Sequence, residues 1–172
     1  MTHPITWTHA TTEIPDRGLE RTRSADEAER AAVAEALGLI ACDRLNVSYV
    51  LAPAGAGAWR LTGDLVAAVT QACIVSLEPV PAALAETFSV EFRRDAPLAD
   101  PEGEREILAG PDVEPLAGDH IEVGRIVYET LSAGLDPYPR KAGAALDWND
   151  PRAGDEAAGN PFAVLKKLKD KG

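Results

Sequence analysis

The sequence predicts an α+β domain: an antiparallel β-sheet meander packed with two or three helices, with an acidic loop between the sheet and the second helix. Three observations carry this prediction. Apolar residues alternate with polar ones at Leu45, Val47, Tyr49 and Leu51, again at Trp59 and Leu61, and again at Phe88, Val90 and Phe92, which is the period of half-buried strands. Helix signals flank these segments, with a capping sequence near residue 24 and an apolar stripe near residue 126. Prolines and glycines crowd the stretch from Asp95 to Asp119 and interrupt any period there.

In chain order, Ile5-Thr6-Trp7-Thr8 has strand composition and suits an edge strand. Ser24-Ala25-Asp26-Glu27 reads as a capping box, in which a hydroxyl and a carboxylate satisfy free backbone donors reciprocally. The helix it opens runs to about Leu37, carries an Asp26–Arg30 pair at i,i+4, and stops at Gly38. A strand follows over Leu45–Leu51, a turn over Pro53–Gly57, and a long strand from Trp59 to Thr70 with a bend or bulge at Gly63. Phe88, Val90 and Phe92 mark the third strand after Pro79 and Pro81.

The loop from Asp95 to Asp119 holds eight acidic residues against the single basic Arg105. Val123, Ile126, Val127 and Leu131 share one face of a second helix over Val123–Ala133, which Asp136-Pro137-Tyr138-Pro139-Arg140 ends because alternate prolines cannot continue a helix. A weakly structured stretch, 141–159, then leads to a terminal helix capped by Asn160 and Pro161. One domain over 1–172 accommodates all of this, since a chain of 172 residues can bury about two-thirds of its unfolded surface.

Composition narrows the function classes. Seventeen basic against twenty-eight acidic residues leave a formal charge of −11, which disfavours a body that grips phosphates and suits a basic partner. No apolar run reaches the ~18–20 residues of a membrane span, and the first thirty residues lack an apolar signal core, so a cytoplasmic protein with no membrane role is expected. Cys42 and Cys73 are then free thiols, and with His3, His9 and His120 scattered they do not make the close ligand pairs zinc requires. Gly55-Ala56-Gly57-Ala58 is a hairpin turn rather than a phosphate loop, and no nucleophile–base motif stands near His120. The expectation is a protein without catalysis, cofactor, metal or small-molecule substrate.

Four features invite a partner. Glu78-Pro79-Val80 reads either as a strand break or as an edge held open by prolines, with Glu78 facing a basic partner. Asp100, Glu102, Glu104 and Glu106 concentrate acidic charge in the loop. Tyr138 between rigid prolines is either a docking knob or a core-edge ring, with Arg140 and Lys141 beside it. Phe162 and Leu165 form a stripe on the terminal helix, opposite Lys166, Lys167 and Lys169, and those lysines either touch RNA phosphates or are solvated near the end of a docked helix.

Two further stretches resemble a known family. Thr70-Gln71-Ala72-Cys73-Ile74-Val75-Ser76-Leu77-Glu78-Pro79-Val80, taken with Asn160-Pro161-Phe162-Ala163-Val164-Leu165, resembles the YceD family, whose members carry a Cys-bearing segment at a strand end, an acidic mid-chain loop and a short closing helix. Many relatives carry Cys-x-x-Cys, matched here to Thr70-Gln71-Ala72-Cys73. The resemblance implies a role in large ribosomal subunit biogenesis and 23S rRNA accumulation. Taken with the acidic charge balance, that role makes a basic ribosomal protein or pre-large-subunit particle the expected partner. The alternative is a direct RNA-binding module using the basic C-terminal helix.

Overall fold

Three long antiparallel strands dominate the fold. The computed structural model describes residues 3–55, 57–94, 112–116 and 118–145. Its elements are β1 (Thr8–Ala10), β2 (Leu19–Ser24), α1 (Glu27–Leu37), β3 (Ala41–Gly55), β4 (Ala58–Ala72), β5 (Pro79–Arg93), β6 (Asp112–Pro115), β7 (His120–Glu122) and α2 (Val123–Gly134). The main sheet runs β2-β3-β4-β5-β6, while β1 and β7 form a separate two-stranded sheet. The α+β class holds, with one correction: β6 lies parallel to β5, so the sheet is mixed rather than a pure antiparallel meander.

The alternation read from the sequence becomes rows of buried side chains. Leu51 opposes Leu61, which opposes Val90; Val47 opposes Leu65; Tyr49 opposes Gly63, which opposes Phe88. These residues form the core with Val33 of α1 and with Val123, Ile126, Val127 and Leu131 of α2. Gly63 is where the expectation of a bulge fails. Register shifts fall instead at Cys42/Arg44 and Pro53/Gly55. A Cβ at Gly63 would come within 2.6 Å of Phe88 Cζ and 2.9 Å of Tyr49 Cβ, so this glycine makes room for the Phe88 ring. On the opposite face Ser48, Thr62, Asp64, Thr87 and Ser89 line a shallow concavity of about 460 Å³.

The N-terminal half departs from the sequence reading in instructive ways. Ser24 ends β2, paired with Asn46, and therefore cannot cap α1. Asp26 does so: its carboxylate accepts from Glu29 N–H at 2.8 Å, and the Glu29 carboxylate accepts from Asp26 N–H at 2.9 Å. With that carboxylate engaged, the Arg30 guanidinium donates to the Ala25 carbonyl at 2.8 Å instead of pairing with Asp26. Gly38 ends the helix in the left-handed conformation at φ 64°, as read.

The first strand lies at Thr8–Ala10, just past the predicted segment, and pairs with β7. Ile5 and Trp7 ahead of it are core residues, and the Trp7 indole donates to Glu29 at 2.7 Å.

The prolines of β5 lie inside a strand, which begins at Pro79 rather than beyond Pro81. The described part of the predicted acidic loop contains β6 at 112–115. The remainder of that loop, with Asp100, Glu102, Glu104 and Glu106, lies outside the described residues, as do residues 146–159 and the predicted terminal helix with Phe162, Lys166, Lys167 and Lys169. Among the described residues no helix is long and apolar enough to cross a membrane.

Candidate docking site around Cys73

The connection from β4 to β5 is the six-residue segment Cys73–Glu78, and it is built around a sulfur atom. Cys73 N–H donates to the Glu78 carbonyl at 2.9 Å and Leu77 N–H donates to the Cys73 carbonyl at 2.9 Å, closing the turn. Inside it, Cys73 Sγ accepts the backbone N–H groups of Val75, Ser76 and Lys141, each at 3.4 Å. The side chain is fully buried. Three amide dipoles aimed at one sulfur favour the thiolate. The Lys141 amide is the largest contributor, followed by the Ser76 hydroxyl and amide, and together they bring the thiol pKa down to about 6 against the opposing effect of burial.

The third amide arrives from far along the chain. After α2, Leu135–Lys141 runs back across the sheet end as a strap. Gln71 Nε2 donates to the Asp136 carbonyl at 2.9 Å, Ile74 N–H donates to the Pro139 carbonyl at 2.9 Å, and Pro139 itself is buried. The Asp136 carboxylate accepts from Tyr138 N–H at 2.8 Å, shaping the strap at its proline pair. Lys141 Nζ meets Glu78 Oε1 at 2.6 Å, and this bond, with the Ser76 hydroxyl, holds the Glu78 carboxyl below its ordinary range.

What this framework presents to solvent is apolar. Leu77 is 76% exposed, Tyr138 70% and Ile74 45%. Leu77 sits at φ 60°, the only non-glycine residue in the left-handed region among those described. A branched aliphatic side chain in that region costs about 1–2 kcal/mol. Such strain persists where the surroundings over-determine it, and it concentrates at functional positions.

Of the predicted site residues, Glu78, Tyr138, Arg140 and Lys141 converge on this one sheet end, with Arg140 exposed. The strand starts at Pro79, and Glu78 lies at the surface in an ion pair with Lys141 of the same chain. Tyr138 is exposed rather than packed at a core edge. Sequence reasoning missed Ile74, Leu77, Gln71 and Pro139. A large apolar residue, Leu77, directly before the Glu78-Pro79 break was the sequence signal that could have flagged the site.

Thr70 is extended within β4 opposite Pro81, outside the turn. The turn begins at Cys73, and the Ser76 amide and hydroxyl both serve the Cys73 sulfur. Cys42 and Cys73 are both free and buried, and no cluster of three or more His, Cys, Asp or Glu side chains suited to a metal occurs among the described residues.

A protein-family model described as "Large ribosomal RNA subunit accumulation protein YceD" matches residues 61–169, more than half of the chain, taking in most of β4, the Cys73 turn, β5 and the strap. Neither the curated proteins nor the solved structures give a match. The Cys-bearing turn at a strand end and the breadth of this match lead to one conclusion: the chain belongs to the YceD family, and with it to proteins of large-subunit ribosomal RNA accumulation.

Proposed function

We propose that the protein is a non-catalytic, cytoplasmic factor of large ribosomal subunit biogenesis, supporting 23S rRNA accumulation by docking the Cys73 turn on a basic ribosomal protein or a pre-large-subunit particle. The observation that carries this reading is the pairing of a rigid hydrogen-bonded turn with exposed Ile74, Leu77 and Tyr138. Exposed apolar side chains held in one geometry lose little conformational freedom on binding and act as anchors. The chain's net charge of −11 favours encounter with a basic surface and repels free RNA from the body.

Sedimentation of cell extract containing tagged protein tests it. The wild type comigrates with pre-large-subunit particles or with a basic ribosomal protein, and Leu77→Asp with Tyr138→Ala moves to the light fractions while its circular dichroism is unchanged. Comigration of that double variant at wild-type level refutes the docking role of the turn. Loss of comigration only on deletion of residues 160–172, with a steep salt dependence, identifies direct RNA binding through Lys166, Lys167 and Lys169 instead.

A further inference from the structure

The β5 edge away from β4 carries a second surface. Within β5, Pro79 pairs with Ala72 and Pro81 with Thr70, so both prolines lie in a strand whose whole length faces β4. Proline has no N–H, so these two stand at positions whose backbone groups point away from β4. The far end of the strand fixes the same parity independently. The Arg93 carbonyl accepts from Leu116 N–H at 2.8 Å on the β6 side, while Arg94 N–H turns back to the Gly57 carbonyl at 3.2 Å. Ala83, Ala85, Thr87 and Ser89 share the parity of Pro79, Pro81 and Arg93, so their N–H and C=O groups face outward. β6 pairs only with Val90–Arg93, and among the described residues no strand pairs with β5 on that side before Val90.

Beside this edge lies a groove of about 590 Å³ between β5 and α2. Glu86, Asp112, Glu114 and Glu129 line it over a floor that includes Phe88 and Ala133. Arg125 ties Glu114 and Glu129 together, while Glu86 and Asp112 make no ion pair among the described residues. The sheet register puts Asp112 beside Val90 and Glu114 beside Phe92, on the same face as Glu86, so the carboxylates meet alternate side chains of any strand laid along the edge.

We infer that Ala83–Ser89 is a β-augmentation site for an extended basic segment of a protein partner, whose main chain pairs with the outward groups of Ala83, Ala85, Thr87 and Ser89. Lysine or arginine at alternate positions of that segment reaches Glu86 and Asp112. Main-chain pairing gives affinity here and the carboxylates select for basic sequence. Pro79 and Pro81 deny donors to a longer strand and set the limit of the site. The inference rests on the proposed function only for the class of partner.

The test is an NMR and hydrogen-exchange titration of the full chain with a synthetic heptapeptide alternating lysine and valine, against the same peptide with glutamate for lysine. The lysine peptide protects the amides of Ala83, Ala85, Thr87 and Ser89 and shifts them, while the glutamate peptide does not. Ala85→Pro, which removes one outward donor as Pro81 already does, weakens binding by about tenfold or more. Glu86→Lys with Asp112→Lys weakens it comparably, and is the deciding variant if Ala85→Pro does not fold. Equal binding of both peptides, unchanged affinity in the variants, or full exchange protection of the four amides in the free protein overturns the inference. Particle comigration separates the two sites: loss in Leu77→Asp with intact peptide binding refers to the turn, and intact comigration in Leu77→Asp with peptide binding lost in Ala85→Pro refers to the edge.

Discussion

β4 ends in a reversal of chain direction at each terminus, and the two reversals are built on different principles. The β3–β4 hairpin uses Gly55 at φ 122° and Gly57 at φ 71°, residues that take positive φ without a Cβ penalty, and the Gly57 carbonyl accepts from Arg94 N–H at 3.2 Å. The Cys73–Glu78 turn has no glycine, places Leu77 at φ 60°, and is held by a buried sulfur and a strap that reaches it from beyond α2. The first is a connection that minimises cost. The second retains strain and a buried acceptor while its apolar side chains face outward, and that difference is the ground on which the turn is proposed as a docking site.

The comparison can be broken most forcefully at the sulfur. Cys73→Ala leaves the Val75, Ser76 and Lys141 amides without their acceptor, and should lower Tm by several degrees and speed hydrogen exchange across 73–78 and 139–141 while 53–58 is unaffected. A uniform exchange change in both turns would show that the sulfur is not the organising atom.

pH acts on the same atom reversibly. The folded thiol pKa of about 6 is below the unfolded value of about 8.5, so the thiolate's contribution is fully present above the unfolded value and is lost as pH falls through about 6. Exchange at Ser76 and Lys141, corrected for intrinsic rates, should therefore rise relative to the hairpin between pH 8 and 5, and a thiol titration by NMR should report the matching midpoint.

Backbone substitutions sharpen the contrast on a smaller scale. Gly57→Ala should destabilise the protein by about 1 kcal/mol in chemical denaturation, the cost of a Cβ at positive φ. Leu77→Gly relieves the same kind of strain. Its stability should lie within about 1 kcal/mol of wild type, on the stabilising side, because an exposed leucine contributes little burial. Particle comigration should nevertheless be lost, and a variant equally stable and fully bound would remove Leu77 from the site. The smallest effect belongs to Lys141→Ala. Its ion pair with Glu78 is half exposed, so Tm should change within measurement scatter while the salt dependence of comigration shifts.

Much of the fold was legible because local signals agreed with tertiary ones. Gly38 and the Pro137/Pro139 pair end helices in the structure as in the sequence, and the alternation at Leu45–Leu51 maps onto the core face. The α1 cap was misplaced because Ser24 and Asp26 are equally competent caps, and only the pairing of Ser24 with Asn46 decides between them. β6 was hidden by its shortness, its acidic composition and its parallel pairing, which leaves no hairpin signal. Within the site, Glu78, Tyr138 and Lys141 stood out by residue type. The bond that unites them joins residues 68 positions apart through a backbone amide, and amides carry no sequence signature.

The length of β4 has a geometric consequence of its own. Its fifteen residues, at about 3.3 Å per residue, separate the Cys73 turn from the glycine hairpin by roughly 45 Å along the strand. Under the proposed docking, anchoring at the turn would swing the hairpin end through a wide arc. A fluorophore on the hairpin would then report the orientation of the bound protein without touching the proposed contact.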